Sequence, residues 1–400
     1  MKVLQINSVC GYGSTGKIAV DLYHELEERG IDCCIAYGRG RAPKDIKSIK
    51  IGNKLDFYYH ALMTRLFDKH AFASKRATKK FIKQMRLYDP DIIHLHNIHG
   101  YYINIEILFE CLKEINKPVI WTLHDCWSFT GHCAHFEPVN CGKWKNLCGQ
   151  CPLKRDYPQS CFGDSSEMNY VRKRDAITGI KNLTIVTPSK WLASRVKQSF
   201  LKNYRVEIIP NGINNQIFHS LNEKQIIEEK LRLTRKYRID FSKKIFLGVS
   251  SVWTKDKGFE DFISMAKKLP ENVQIVLVGV DKRQKKSLPS NVIAIERTEN
   301  QCELASLYAC ADVFLNPTYA DTFPTVNMEA KSCGLPVITY KTGGSVEIAD
   351  MTVVKGNWNE MMRLAQKFNL DKYEKVDDNY FANEKNIQRY INLIEEQLKK

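Results

Sequence analysis

Two carboxylates eight positions apart, Asp321 and Glu329, bracket the run Asp321-Thr322-Phe323-Pro324-Thr325-Val326-Asn327-Met328-Glu329. Pro324 suits the first turn of a helix, and Gly334 stops that helix before Leu335-Pro336-Val337. Eight helical residues rise about 12 Å, so the two acids could grip different parts of one extended ligand. Alone, the first would read as a helix cap and the second as a solvated face residue. Upstream, Val249–Gly258 ends an apolar run and carries Lys255 and Lys257 to the mouth of the next helix. Gly11-Tyr12-Gly13-Ser14-Thr15-Gly16-Lys17 sits between a first apolar run and a helix. It nearly matches a P-loop but has Ile18 where magnesium needs Ser or Thr, and the dinucleotide pattern lacks its acid after the second strand. What remains is an anion site made of backbone N–H groups, or a plain tight turn. His124 closes another apolar run, as a core histidine or a site residue. Cys133-x7-Cys141-x6-Cys148-x2-Cys151 has one half with zinc spacing, and reads either as a structural zinc site or as a loop of buried thiols.

These residues need strands to carry them. Short apolar runs at 3–7, 32–37, 92–96, 119–124, 183–187 and 206–210 alternate with helical patterns, such as 17–29 ending at Gly30. The alternation restarts after Ser242 with runs at 245–250, 274–279, 313–317 and 336–340. In 258–269, Phe259, Phe262, Ile263, Ala266 and Leu269 share one helical face. Strand–helix alternation predicts an α/β fold with parallel sheets, and the charged 222–244 segment reads as a helical connector between two of them. Ligands of such sheets bind at the carboxyl ends of the strands, where most of these residues fall.

The chain has 400 residues, 44% hydrophobic and 26% charged, which excludes disordered and fibrous classes. No apolar run approaches the roughly 18 residues needed to span a bilayer, and Met1–Ile6 reads as a strand, not a signal peptide. The expectation is a soluble cytoplasmic chain whose 13 cysteines are thiols or metal ligands. The net charge of +15 calls for an anionic partner. Residues 64–86 concentrate Arg65, Lys69, Lys75, Arg76, Lys79, Lys80, Lys83 and Arg86, interleaved with Phe72, Phe81 and Met85. That stretch predicts either a basic amphipathic helix on an anionic membrane or a merely solvated face.

Taken together, Val249–Gly258, Ile209-Pro210-Asn211-Gly212-Ile213, Thr122-Leu123-His124-Asp125, the acid-x7-acid run and Lys341–Glu347 resemble the retaining glycosyltransferases of family 4. The resemblance covers essentially the whole chain and implies the GT-B fold, two Rossmann-like domains facing across a cleft. The expected domains are an acceptor-binding 1–220, a nucleotide-sugar-binding 221–372 and a C-terminal helix, 373–400, packing back on the first. The stretch from Leu123-His124-Asp125-Cys126-Trp127 to Cys151-Pro152 looks like a subgroup associated with capsular, exo- and lipopolysaccharide assembly.

By resemblance, Glu329 would hold the ribose, Asp321 the donor-sugar hydroxyls and Lys257 the departing diphosphate. Gly16 would let the backbone approach that phosphate, and His124 would stand near donor and acceptor. Gly13, Asn211, Ser251, Lys255, Phe323, Thr325 and Val326 would complete the donor site. A lysine and a helix N-terminus can stabilise a leaving diphosphate without a catalytic metal. Three departures stand out: the first acid is Asp, one methylene shorter than the usual Glu; Pro324 has no N–H, leaving Thr325 and Val326 to donate; and the usual Arg before Lys257 is missing, with Lys255 as substitute.

The implied function is hexosyl transfer from a UDP- or GDP-sugar to a lipid-linked or oligosaccharide acceptor, peripherally at the inner face of the cell membrane. A zinc-containing nucleic-acid-associated protein is the contrasting reading, disfavoured because no recognition helix or RNA-binding aromatic signature appears. An epimerase or hydrolase of the same fold is the third.

Overall fold

The computed structural model describes residues 1–369, 373–377 and 379–399. They divide into two compact units, Met1–Pro210 with Asn386–Lys400, and Asn211–Lys385. The first division thus falls ten residues before the expected 220. The second falls at 385, while the expected boundary at 372/373 touches residues outside the described set.

The first unit is built on β1 (Lys2–Val9), β2 (Asp32–Arg39), β3 (Ser48–Lys50), β4 (Ile92–Leu95), β5 (Val119–Thr122), β6 (Leu183–Thr187) and β7 (Arg205–Ile208). They form one parallel sheet in the order β3-β2-β1-β4-β5-β6-β7. The second unit repeats the plan with β8 (Lys244–Val249), β9 (Val273–Val278), β10 (Val292–Ile295), β11 (Val313–Asn316), β12 (Val337–Tyr340) and β13 (Met351–Val353). Its order is β10-β9-β8-β11-β12-β13, again parallel throughout. Helices cover both faces of each sheet, so central strands such as β4, β5, β11 and β12 are buried at every position. That is why they read as short, mostly apolar runs without polar alternation. Strands β3, β10 and β13 lie at sheet edges, and their three or four residues left no pattern to read.

In each sheet the order reverses once, between β1 and β4 and between β8 and β11. Crevices at the carboxyl ends of such switch points are where open α/β sheets hold ligands. The segments that follow these four strands carry Gly11–Gly16, His96–Gly100, Ser250–Lys257 and Pro317–Phe323.

Helix α1 (Gly13–Glu28) starts four residues earlier than its apolar pattern suggests, so Gly16 and Lys17 lie inside it. The charged segment after Asn222 is not a connector. Its helix, Glu223–Tyr237, belongs to the second unit, where Leu233 is buried and Arg232 and Lys236 both reach the buried Glu303. The C-terminal helix Asn383–Leu398 packs Ile387, Tyr390, Ile391 and Ile394 into the same cluster as Val3, Leu22 and Ile120. Arg205 grips Glu396 with both guanidinium arms.

The expected basic helix is two helices, α2 (Lys54–Phe67) and α3 (Lys75–Tyr88). Asp68, Ala71 and Ser74 break the chain between them with left-handed backbones. Phe72, Phe81 and Met85 are core residues and cannot anchor a membrane. The reason is helical period: Ala77, Phe81 and Met85 repeat every four positions on the inward face of α3.

Candidate active site

In the second unit, β8 runs into a short 3₁₀ turn, Lys255–Lys257, that ends at Gly258. Gly258 has φ +75°, and a Cβ there would stand 2.3 Å from the Pro317 carbonyl oxygen. The absence of a side chain lets the turn press against the end of β11. Tyr319 N–H donates to the Asp256 carbonyl at 2.7 Å and fixes that contact. Neighbouring strands thereby bring together residues distant in sequence. Lys257 Nζ lies 2.7 Å from Asp321 Oδ2, an ion pair that sequence spacing did not reveal. Asp321 Oδ1 also accepts the Phe323 N–H at 3.1 Å, which orients the carboxylate.

The helix Thr325–Ser332 carries Glu329 and starts one residue after Pro324, which caps it with an extended backbone and does not stand in its first turn. Glu329 Oε2 accepts a 3.1 Å hydrogen bond from the hydroxyl of Tyr308, a fully buried tyrosine. Burial, reinforced by the carboxylate's charge, raises that phenol well above its usual pKa, so it stays a donor. Tyr308 was not anticipated; it lies on another helix, Gln301–Cys310, with no motif of its own. Thr325 and Val326 lie in the first turn of the helix, and Ser251 and Lys255 are exposed after β8. Phe323 is different: its ring is core and its N–H is taken by Asp321. Asn211 opens the second unit, half-buried.

In the first unit, Gly13 has open space where a Cβ would be, at φ +64°. Gly16 does not: a Cβ would meet Val9 Cγ2 at 3.0 Å and Gly11 N at 3.2 Å. Its glycine is explained by close packing of α1 on the end of β1.

His124 follows β5 beside β4, and a chain of hydrogen bonds reaches it. Gln5 Nε2 donates to the Ala19 carbonyl at 2.9 Å, which leaves Gln5 Oε1 to accept from His96 Nε2 at 3.0 Å. His96 Nδ1 must then accept, and its partner at 3.3 Å is His124 Nε2. This assigns the His124 proton to Nε2 and the lone pair to Nδ1. Burial lowers the His124 pKa to about 4, so the ring is neutral at neutral pH. Next to it, Asp125 Oδ2 lies 2.9 Å from His99 Nε2, and Asp125 Oδ1 accepts the Trp127 N–H. Burial alone would raise the Asp125 carboxyl, but His99 and these hydrogen bonds outweigh it and hold it at about 2. His99 Nδ1 in turn meets the Tyr157 hydroxyl at 3.2 Å. Gln5, His96, His99 and Tyr157 were all missed from sequence, where only an isolated histidine was visible.

The four cysteines Cys133, Cys141, Cys148 and Cys151 do gather, all packed on the first unit's core. Their sulfurs are engaged otherwise: Cys148 Sγ accepts the Gly131 N–H at 3.2 Å, and Cys133 and Cys151 pair with each other. Among the described residues no group of three or more His, Cys, Asp or Glu side chains could hold a metal ion. Asp91, in the turn before β4, has its Oδ2 accepting the Lys2 N–H at 2.8 Å.

Comparison with known proteins gives two matches that together span most of the chain. Residues 15–216 match the model of Glycosyltransferase Family 4, and residues 231–376 that of Glycosyl transferases group 1. The colanic acid biosynthesis glycosyl transferase WcaC of Escherichia coli is 23% identical over 87% of this chain and 85% of its own. Among solved structures, sucrose-phosphate synthase from Thermosynechococcus elongatus superposes with a TM-score of 0.70 at 15% identity, covering 99% of this chain and 98% of that one. Anabaena HepE, solved in complex with UDP-glucose, gives 0.61 at 15% identity over 100% and 98%. These likenesses show the GT-B fold. With a family model matching half its length, the chain belongs to glycosyltransferase family 4 and is a glycosyltransferase.

Proposed function

We propose that the enzyme moves a hexosyl group, with retention, from a UDP- or GDP-sugar to a lipid-linked or saccharide acceptor in surface polysaccharide assembly. The observation that carries this reading is the Lys257–Asp321 pair, with Glu329 on the adjoining helix, at the switch point between β8 and β11. A nucleotide sugar needs a cation where its diphosphate departs and carboxylates for its hydroxyls. On this reading the donor's diphosphate draws Lys257 away from Asp321, and the released carboxylate oxygen accepts from the sugar. Glu329, braced by Tyr308, takes the ribose hydroxyls. The N–H groups of Thr325 and Val326 serve the phosphates, since Pro324 has none to offer. His124 of the first unit, kept neutral by burial, is assigned to the acceptor. The name of WcaC supports the polysaccharide setting, and the HepE complex supports a nucleotide-sugar donor.

No described helix is long and apolar enough to cross a membrane. A lipid-linked acceptor therefore implies that the chain meets the membrane at its surface, on the cytoplasmic side. The test is a panel of UDP- and GDP-sugars, with nucleoside diphosphate release followed alongside the anomeric configuration of the glycan formed. An extended product with the donor's anomeric configuration supports the proposal. An inverted product, or release without glycan, refutes it.

A further inference from the structure

Helix α2 is amphipathic the wrong way round. Leu55, Tyr59, Leu62 and Leu66 recur at i, i+4, i+7 and i+11, with Tyr58 beside them, and so form one helical stripe. In a helix packed on a core that stripe would face inward. Here Leu55, Tyr58, Tyr59 and Leu62 are 53–78% exposed, while the buried side is polar. Its residues are His60 and Thr64. His60 holds the inward face by hydrogen bonds to Ser74 Oγ at 2.7 Å and from the Ala71 N–H at 2.9 Å. Burying these polar groups while exposing two leucines and two tyrosines works against folding free energy unless something else covers the apolar side.

The exposed face continues beyond the helix. The 161–163 loop is tied to its end, with Cys161 N–H on the Arg65 carbonyl at 2.8 Å and Gly163 N–H on the Leu66 carbonyl at 3.3 Å. Phe162, between them, is 76% exposed, and Phe67 is exposed too, with Lys69 Nζ 5.5 Å from its ring centre.

Charge selects the occupant. Every exposed charged residue from Lys54 to Arg86 is basic; Asp56 is half-buried capping α2, and Asp68 is buried against His132. Lys54, Arg65 and Lys69 flank the apolar stripe. A second copy of the chain across a twofold axis would set these cations against their own counterparts. An anionic lipid surface instead attracts them while taking up the leucines, and tyrosine favours the headgroup boundary.

We propose that the outward face of α2, extended by Phe67 and Phe162, is the surface by which this enzyme lies on an anionic membrane. It depends on the glycosyltransferase reading only for its purpose, access to an acceptor carried on lipid.

The experiment sediments the full chain with phosphatidylcholine vesicles, with and without phosphatidylglycerol, at low and high salt. The parent should bind the anionic vesicles. The variant Leu55→Ser/Tyr59→Ser/Leu62→Ser should bind them about tenfold or more weakly. Lys54→Glu/Arg65→Glu/Lys69→Glu should abolish the preference for anionic lipid. Since these side chains face solvent, both variants should keep the parent's circular dichroism and its release of nucleoside diphosphate. Absence of parent binding to either vesicle, or unchanged binding by the serine variant, overturns the proposal. So does a parent dimer that the serine variant dissociates, which would make a second copy the occupant. Failure of the parent to release diphosphate from any nucleotide sugar would overturn the catalytic reading and leave the vesicle result standing.

Discussion

Replacing Lys257 with Met should separate catalysis from stability. The ammonium is 2.7 Å from Asp321 Oδ2, but the lysine side chain is 37% exposed and that of Asp321 18%. A pair so open to water contributes about 0–1 kcal/mol to folding. One kcal/mol shifts the unfolding midpoint by about 2–4 °C in a domain of this size, so the second unit should melt within about 4 °C of the parent. The same ammonium at a departing diphosphate is a different matter. Removing a preorganised charge where charge develops costs about 2.7–4 kcal/mol, or 10²–10³ in kcat. Diphosphate release at saturating donor, with calorimetry on the same samples, tests both numbers at once. A rate within tenfold of the parent would remove Lys257 from the leaving-group site. A large rate loss accompanied by a midpoint drop above about 8 °C would show that the pair is structural and the rate effect secondary.

Tyr308→Phe removes the hydrogen bond to Glu329 Oε2 and should raise KM for the donor about fivefold with kcat little changed, as a net hydrogen bond of about 1 kcal/mol implies; an unchanged KM would detach Glu329 from ribose binding. Gly258→Ala, at φ +75° with a Cβ forced 2.3 Å from the Pro317 oxygen, should destabilise the second unit by about 1–3 kcal/mol in denaturant titration. A neutral effect would mean the 3₁₀ turn can move freely away from β11. Burial lowers His60 and His94 to about 3 and His124 to about 4, against an ordinary 6.5. The unfolded chain therefore takes up protons first, and stability that is full above about pH 6.5 is lost as pH falls toward 4. Denaturation midpoints at pH 7, 6 and 5 should fall in that order, and a flat or rising series would contradict the buried neutral histidines.

What the sequence disclosed was what lies close together along it. The acid-x7-acid run with Pro324 and Gly334 around it located both carboxylates and their helix, because caps and stops are local. The central strands were legible because burial on both faces makes them mostly apolar. Contacts made by sheet order were not legible. Lys257 and Asp321 are 64 positions apart and meet only because β8 and β11 are neighbours. The Gln5–His96–His124 relay crosses three strands or their ends for the same reason. Cysteine spacing located a loop whose four thiols do gather on the first unit's core. Basic charge drew attention away from helical period in α3, whose Ala77, Phe81 and Met85 face the core, while in α2 the rule that apolar stripes face inward is reversed by His60 and Thr64.

The first unit draws on both ends of the chain, taking Met1–Pro210 and the residues from Asn386 onward. The second unit is thus an insertion, entered at Asn211 and left at Lys385. On the ribosome, the strands β1 to β7 emerge first but lack the helix that covers Val3 and Ile120. The entire second unit is synthesised, and free to fold, before that helix appears. Completion of the earlier-made unit therefore waits on a segment translated after the whole of the second, and a chain stopped near residue 385 would carry a finished second unit and a first unit with an uncovered apolar sheet.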